Sequence, residues 1–205
     1  SALTASQVDA LTPFQVEALS ADQKNALSTD QFQYLALGTP LILDLNNNGS
    51  FSRGFSQGVQ FDLFATGTKT GTGWVEASDG LLVMDRNHDG AITDGSELFG
   101  SSTRLANGKN ALDGYAALAE LDSDGDGFIT RSDDKFGQLK VWMDEDSNGE
   151  SASGELRTMS ELGIASLELA TTSTAIHDHG NVVGLVSNYQ TTDGTSHKMA
   201  DVWFV

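Results

Sequence analysis

The sequence predicts an α+β fold: a mixed module over residues 38–205, stapled by EF-hand-like loops, behind a short-helix segment over residues 1–37. Three observations carry this reading. Four clusters, Asp44 to Gly49, Asp85 to Gly90, Asp122 to Gly127 and Asp144 to Gly149, repeat the spacing D-x-[DN]-x-[DN]-G. The first 37 residues repeat with a period of eight. From Pro40 onward, short apolar runs of strand length mix with helix-like stretches.

In the first segment Leu3, Leu11, Leu19, Leu27 and Leu35 recur every eight residues. Thr4, Thr12, Ser20 and Ser28 follow the first four, and Gln7, Gln15, Gln23 and Gln31 come three further on. In one continuous helix a step of eight drifts by roughly 80°, so the leucines would spiral around the cylinder and share no buried face. The S/T-x-x-Q unit is a capping box, in which the hydroxyl caps a new helix and the Gln reaches back to the cap. The octads therefore read as a string of very short helices that serves as a spacer.

In the module, Leu41 to Leu43 reads as a short buried strand running into the first cluster, and Val59 to Phe64 and Gly80 to Met84 as further strands. Ala111 to Leu121 reads as a helix leading into the third cluster. Helix, loop, loop and helix then follow the order of an EF-hand pair, with Leu139 to Met143 as the link. Thr158 and Glu161 form another capping box, opening a short helix that Gly163 ends. Val182 to Tyr189 and His197 to Val205 alternate as strands joined through Thr191 to Thr195 around an Asp-Gly turn.

The clusters have the chemistry of calcium loops. Carboxylate or amide oxygens at positions 1, 3 and 5 converge on one point, and the Gly makes the sharp turn. Asp144, Asp146 and Asn148 are followed at position 12 by Glu155, the residue an EF-hand uses to grip the ion with both oxygens. Asp122, Asp124 and Asp126 have Asp133 at position 12, a shorter ligand. Asp85, Asn87 and Asp89 close on Glu97 at position 13 or on Asp94. Asp44, Asn46 and Asn48 have Phe55 at position 12, so that set must recruit Asp62 or Asp79 from further along the chain. An incompletely caged ion leaves room for an outside ligand.

Composition agrees. The formal charge of −18 comes from 20 Asp and 9 Glu, and this self-repulsion should loosen the chain when cations are removed. The 11 Lys and Arg form no basic stripe, which argues against nucleic acid as a partner. There is no Cys, no apolar run long enough to span a bilayer and no signal-peptide pattern at the start, so the chain reads as a monomeric module of a larger secreted protein without membrane insertion. Loop sites of this kind fill at roughly millimolar calcium, an extracellular condition. His177 and His179 lack a third metal ligand in phase, and Trp74, Trp142 and Trp203 lie in strand-like runs that belong to a core. No nucleophile, base and orienting group fall into a catalytic pattern.

A set of motifs then narrows the reading. Pro40-Leu-Ile-Leu-Asp44, Thr72-Gly-Trp-Val, Asp79-Gly-Leu-Leu-Val, Asp85-Arg-Asn, Glu97-Leu-Phe-Gly, Gly114-Tyr-Ala-Ala-Leu-Ala-Glu-Leu-Asp122, Val141-Trp142, Glu155-Leu-Arg-Thr, Glu161-Leu-Gly-Ile, Asp193-Gly-Thr and Lys198-Met-Ala-Asp201 span residues 39–205. Together they resemble the calcium-dependent self-processing module of the meningococcal iron-regulated RTX proteins. A closely similar module in giant RTX adhesins of Gram-negative bacteria captures free peptide C-termini.

The self-processing family cuts an Asp-Pro bond at the start of its module, where the Asp carboxylate attacks its own backbone carbonyl. Here Thr39 precedes Pro40, and the only other proline, Pro13, follows Thr12. The resemblance therefore implies no self-cleavage and no enzyme activity. It implies instead a calcium-dependent peptide-binding module of a cell-surface adhesin that takes free, acidic C-termini of cell-surface proteins, and the incomplete ligand sets point to an under-coordinated calcium in the Asp44 or Asp85 loop as the ion that meets the terminal carboxylate. Ser102, Arg104 and Lys109 are the candidate peptide contacts. A purely structural calcium spacer is the alternative.

Overall fold

The computed structural model describes residues 38–152 and 154–204; the octad segment and its expected short helices lie outside the described residues. In chain order the strands begin with β1 (Leu41–Leu43), β2 (Ser52–Arg53), β3 (Val59–Phe61), β4 (Thr70–Thr72), β5 (Trp74–Val75) and β6 (Gly80–Val83). A helix, α1 (Gly114–Leu118), continues as a 3-10 turn over Ala119–Leu121. The chain then runs through β7 (Phe128–Thr130), β8 (Lys140–Trp142), β9 (Leu156–Thr158), β10 (Ile164–Glu168), β11 (Thr172–Asp178), β12 (Asn181–Thr191) and β13 (Ser196–Trp203).

This corrects the expected fold class, because the described chain is mostly antiparallel β rather than a mixed α+β module. Nine strands form one sheet in the order β7-β10-β12-β13-β1-β6-β8-β9, with β11 also paired to β12. Two small ribbons, β2 with β5 and β3 with β4, complete it. All pairings between the named strands are antiparallel.

The central strands are apolar at nearly every position because both faces of the sheet are covered. Leu41, Leu43, Leu82, Val141 and Met199 enter one core, where α1 adds Tyr115 and Leu118. Ile42, Leu81, Val83, Trp142 and Ala200 alternate into the other, against Phe61, Trp74 and Val75 from the ribbons. The Tyr115 hydroxyl donates to the Met199 carbonyl at 2.7 Å, fixing α1 on β13. Asp113 caps the helix by accepting from the Ala116 amide at 2.7 Å. Gly114 lets it sit directly on the sheet, since a Cβ there would come within 2.5 Å of Leu41 Cγ.

The helical order expected around the third and fourth clusters gives way to strand pairing. Residues expected only to link two loops are β8, which hydrogen-bonds to β6 on one side and β9 on the other. Thr158 and Glu161 do exchange capping-box bonds, with Glu161 Oε2 accepting from the Thr158 amide at 2.7 Å and Thr158 Oγ1 from the Glu161 amide at 3.2 Å. Only Met159 to Gly163 separate β9 from β10, so the box closes a turn and no helix follows. The C-terminal hairpin, β12 with β13 around Asp193-Gly194, forms as the sequence indicates.

Candidate metal centre

The four clusters share one backbone geometry. In each, the first Asp accepts from the amide of position 5 on one oxygen and from that of position 6 on the other. For Asp44 the donors are Asn48 at 3.1 Å and Gly49 at 2.9 Å; for Asp144 they are Asn148 at 3.1 Å and Gly149 at 2.9 Å. Asp85 holds Asp89 and Gly90, and Asp122 holds Asp126 and Gly127, in the same way. Position 4 is left-handed throughout, with φ of 59° at Asn47, 61° at His88, 75° at Gly125 and 56° at Ser147. This curl turns the side chains of positions 1, 3 and 5 toward a common centre.

The closing residues follow a second rule. The amide of position 9 donates to one oxygen of the closer: Thr93 to Glu97 Oε2 at 2.8 Å, Thr130 to Asp133 Oδ2 at 2.7 Å and Ala152 to Glu155 Oε2 at 2.9 Å. Of the two candidates in the second cluster, this places Glu97 as closer, while Asp94 Oδ1 is held by the amide and hydroxyl of Ser96. Among the described residues, carboxylates converge in three groups, Asp85 with Asp89 and Glu97, Asp122 with Asp124 and Asp126, and Asp144 with Asp146 and Glu155, each with ligand atoms within 4.8 Å of one another. Asp133 stands outside its group because Ser123 occupies its second oxygen.

At the first cluster the structure brings in Asp79, whose Oδ1 accepts from the Leu45 amide at 3.0 Å. Asn46 reaches toward the same segment, donating to Ser78 Oγ at 2.6 Å. Asp62, the other candidate, is engaged elsewhere. It heads a fifth loop of the same shape, accepting from the Thr66 amide at 2.9 Å and the Gly67 amide at 2.6 Å, with Ala65 left-handed at φ 53°. Phe64 and Thr66 stand at positions 3 and 5 of that loop, so it has the curl without the ligand set. Only the spacing from Asp62 to Gly67 could have revealed it in the sequence.

Two buried oxygens test whether a cation fits. Asp79 Oδ2 and Glu97 Oε1 have no hydrogen-bond partner, although their residues are 0% and 1% exposed. A buried carboxylate oxygen without a partner is costly unless a cation neutralises it. Burial pushes the Asp79 carboxyl up to about 7, and the charge of Asp44 adds to this. Every donor in the loops is a carboxylate or amide oxygen, a set that suits a hard divalent cation and disfavours soft metals.

The fourth loop is tied to the second core. The indole nitrogens of Trp74 and Trp142 donate to Asp144 Oδ2 and Glu155 Oε2, at positions 1 and 12 of the loop. The tryptophans are core residues, as their strand-like settings indicate, and they also hold two carboxylates of the candidate site. That second role has no sequence signature.

The candidate peptide contacts are spread over one loop. Ser102 donates to the Leu63 carbonyl at 2.7 Å and borders Gly95 of the second cluster's segment. Arg104 and Lys109 are exposed on a turn closed by the Leu105 amide and the Lys109 carbonyl at 2.8 Å. His179 pairs with Asp178 at 3.1 Å, and Asp178 is engaged by the Phe51 and Ser52 amides. Among the described residues, no His joins a group able to hold a metal.

The sequence model of the SPM domain matches residues 41–205. The chain belongs to the SPM-domain family. It is 48% identical over 167 residues to the iron-regulated protein FrpA of Neisseria meningitidis serogroup C, which bears out the resemblance drawn from the motifs. That alignment covers 80% of this chain but 15% of FrpA, so the SPM domain corresponds to a small part of its relative. Among the described residues of this SPM domain, no helix is long and apolar enough to cross a membrane.

Proposed function

We propose that this SPM domain is a calcium-dependent peptide-binding module of a secreted RTX adhesin, one that captures free acidic C-termini of cell-surface proteins and does not cleave itself. The observation that carries the reading is the pair of partnerless buried oxygens, Asp79 Oδ2 and Glu97 Oε1, at the two loops with the least regular closure. Calcium bound there completes the charge balance of Asp44 with Asp79 and of Asp85, Asp89 and Glu97. At the Asp44 loop, which offers two carboxylates and two amides, a peptide's terminal carboxylate supplies a further oxygen ligand. Arg104 and Lys109 are exposed cations on the surface loop of residues 101–110, and they favour an acidic peptide.

Thr39 supports the absence of self-cleavage. It is buried at 3% exposure, its hydroxyl accepts from the Ser101 amide at 3.2 Å, and it provides no carboxylate to attack the bond to Pro40. Incubation with calcium is expected to leave a single band on a denaturing gel.

The deciding experiment is calorimetric titration with a short peptide ending in a free Asp carboxylate and with its C-terminally amidated twin, each in calcium and in chelator. Binding of the free acid alone, and only with calcium, is the expected result. If neither peptide binds while calcium still raises the melting temperature, the module is a structural spacer. The buried Trp74 to Asp144 contact favours that second reading for the fourth loop, where the ligand set is closed from within.

A further inference from the structure

The second and fourth loops touch through equivalent residues. Ile92 is position 8 of the Asp85 loop and Ser151 is position 8 of the Asp144 loop. The Ile92 amide donates to Ser151 Oγ at 2.7 Å, and Ser151 Oγ donates back to the Ile92 carbonyl at 3.3 Å. The residues that follow hold the closing carboxylates: Thr93 donates to Glu97, and Ala152 to Glu155. One two-way contact therefore links the grips of two ligand groups.

The third loop is wired differently. Its position 8, Ile129, lies in β7 and pairs with Leu167 of β10, so that loop is anchored to the sheet edge. Sequence order suggests a pair made of the Asp122 and Asp144 loops, but the hydrogen bonds join Asp85 with Asp144. Ile92 is also packed in the second core with Trp74 and Trp142, the two indoles that donate to Asp144 and Glu155.

We infer that the Asp85 and Asp144 loops form one cooperative cation-binding pair, coupled through Ile92 and Ser151, while the Asp122 loop fills independently. This rests on the calcium reading above and adds its regulation. Closing Glu97 around an ion fixes Thr93 and Ile92, which positions Ser151, Ala152 and hence Glu155 before the second ion arrives. The second ion then meets an ordered site and binds more tightly.

The test is a calcium titration followed by tryptophan fluorescence, which reports on the Asp144 loop through Trp74 and Trp142, with calorimetry in parallel. Coupling between sites is typically worth about 5- to 150-fold in affinity. Asp89→Ala, which removes an exposed ligand of the Asp85 loop, is expected to raise the fluorescence midpoint at least about fivefold. Asp124→Ala, in the Asp122 loop, is expected to leave it unchanged. In a Ser151→Ala background, Asp89→Ala should lose most of its effect.

An unmoved midpoint in Asp89→Ala, an equal shift in Asp124→Ala, or an undiminished effect of Asp89→Ala beside Ser151→Ala overturns the inference. Amide hydrogen exchange on the unaltered chain guards against variants that fail to fold. Coupling requires the amides of Ile92 and Ala152 to become protected over the same calcium range, and separate ranges overturn it. A wild-type titration flat by both fluorescence and heat would instead remove the calcium reading and the inference together.

Discussion

The indole N–H of Trp74 donates to Asp144 Oδ2 at 2.7 Å, joining residues 70 positions apart in a buried contact. Asp144 opens the fourth cluster, so a core side chain of β5 fixes the first carboxylate of a candidate cation site. Trp142 packs edge-on against Trp74 with ring centroids 5.4 Å apart, and its own N–H reaches Glu155 Oε2 at 3.4 Å.

Trp74→Phe keeps an aromatic ring in the core but removes the donor. A hydrogen bond to a charged group contributes about 1.5–3 kcal/mol, and loss of such an outer contact commonly weakens metal binding by about 10- to 100-fold. The expected outcome is lower stability in urea unfolding with calcium present, together with weaker calcium binding at the Asp144 loop by calorimetry.

Removing calcium should act on the whole module, because the chain carries a formal charge of −18. Each site held at 100 times its Kd adds about 2.7 kcal/mol, and in a domain of this size 1 kcal/mol moves Tm by about 2–4 °C. A chelator is therefore expected to lower Tm by several degrees per filled site. Calorimetric scans in calcium, magnesium and chelator check this, with magnesium restoring less because the loops are irregular oxygen cages.

Asp201 gives the pH dependence. It is 0% exposed, and burial followed by the charge of Asp113 holds its carboxyl well above the usual range. The Gly114 amide and Thr39 hydroxyl favour the charged form but do not outweigh burial. Between the unfolded value of about 3.9 and the raised folded value, the folded state keeps a proton that the unfolded state loses, so stability falls as pH rises through that window. Asp201→Asn removes this cost. It is expected to stabilise the module at neutral pH by about 1–3 kcal/mol, with the gain vanishing below about pH 4 in urea titrations at fixed calcium.

Gly100→Ala probes the entry into β1. A Cβ at Gly100 would lie 1.9 Å from the Thr39 carbonyl oxygen, and backbone cannot yield as a flexible side chain does. Overpacking of this kind costs about 1–3 kcal/mol, read as a lower urea midpoint with an unchanged slope.

The curl of the four acidic loops was legible because its chemistry is local: Asp, Asn and Gly must stand at fixed offsets for one curl to form. The same holds for β1, β6 and the β12–β13 hairpin, whose apolar runs and Asp-Gly turn are written within a few residues. What the sequence hid was set by long-range contacts. The segment from Leu139 to Met143 reads as a link until β6 and β9 flank it. Thr158 and Glu161 form their box, but the nearness of β10 leaves no room for a helix. Asp79 and Glu97 were among the candidates, yet only folding separates them from Asp62 and Asp94. The curl at Asp62 left only its Asp-to-Gly spacing in the sequence, because Phe64 and Thr66 erase the rest of the pattern while Ala65 and Gly67 keep the backbone.

The antiparallel pairing of β1 with β13 sets Leu41 opposite Asp201, and the Val202 amide donates to the Pro40 carbonyl at 3.1 Å. Chain entering at Pro40 and chain leaving after Trp203 thus meet at one end of the two central strands of the sheet. Tension applied along the polypeptide would open this ladder as a zipper, rung by rung from Val202, without loading the acidic loops in series. The module hangs beside the line of force as a pendant, and its folded body can stay intact until β1 peels away.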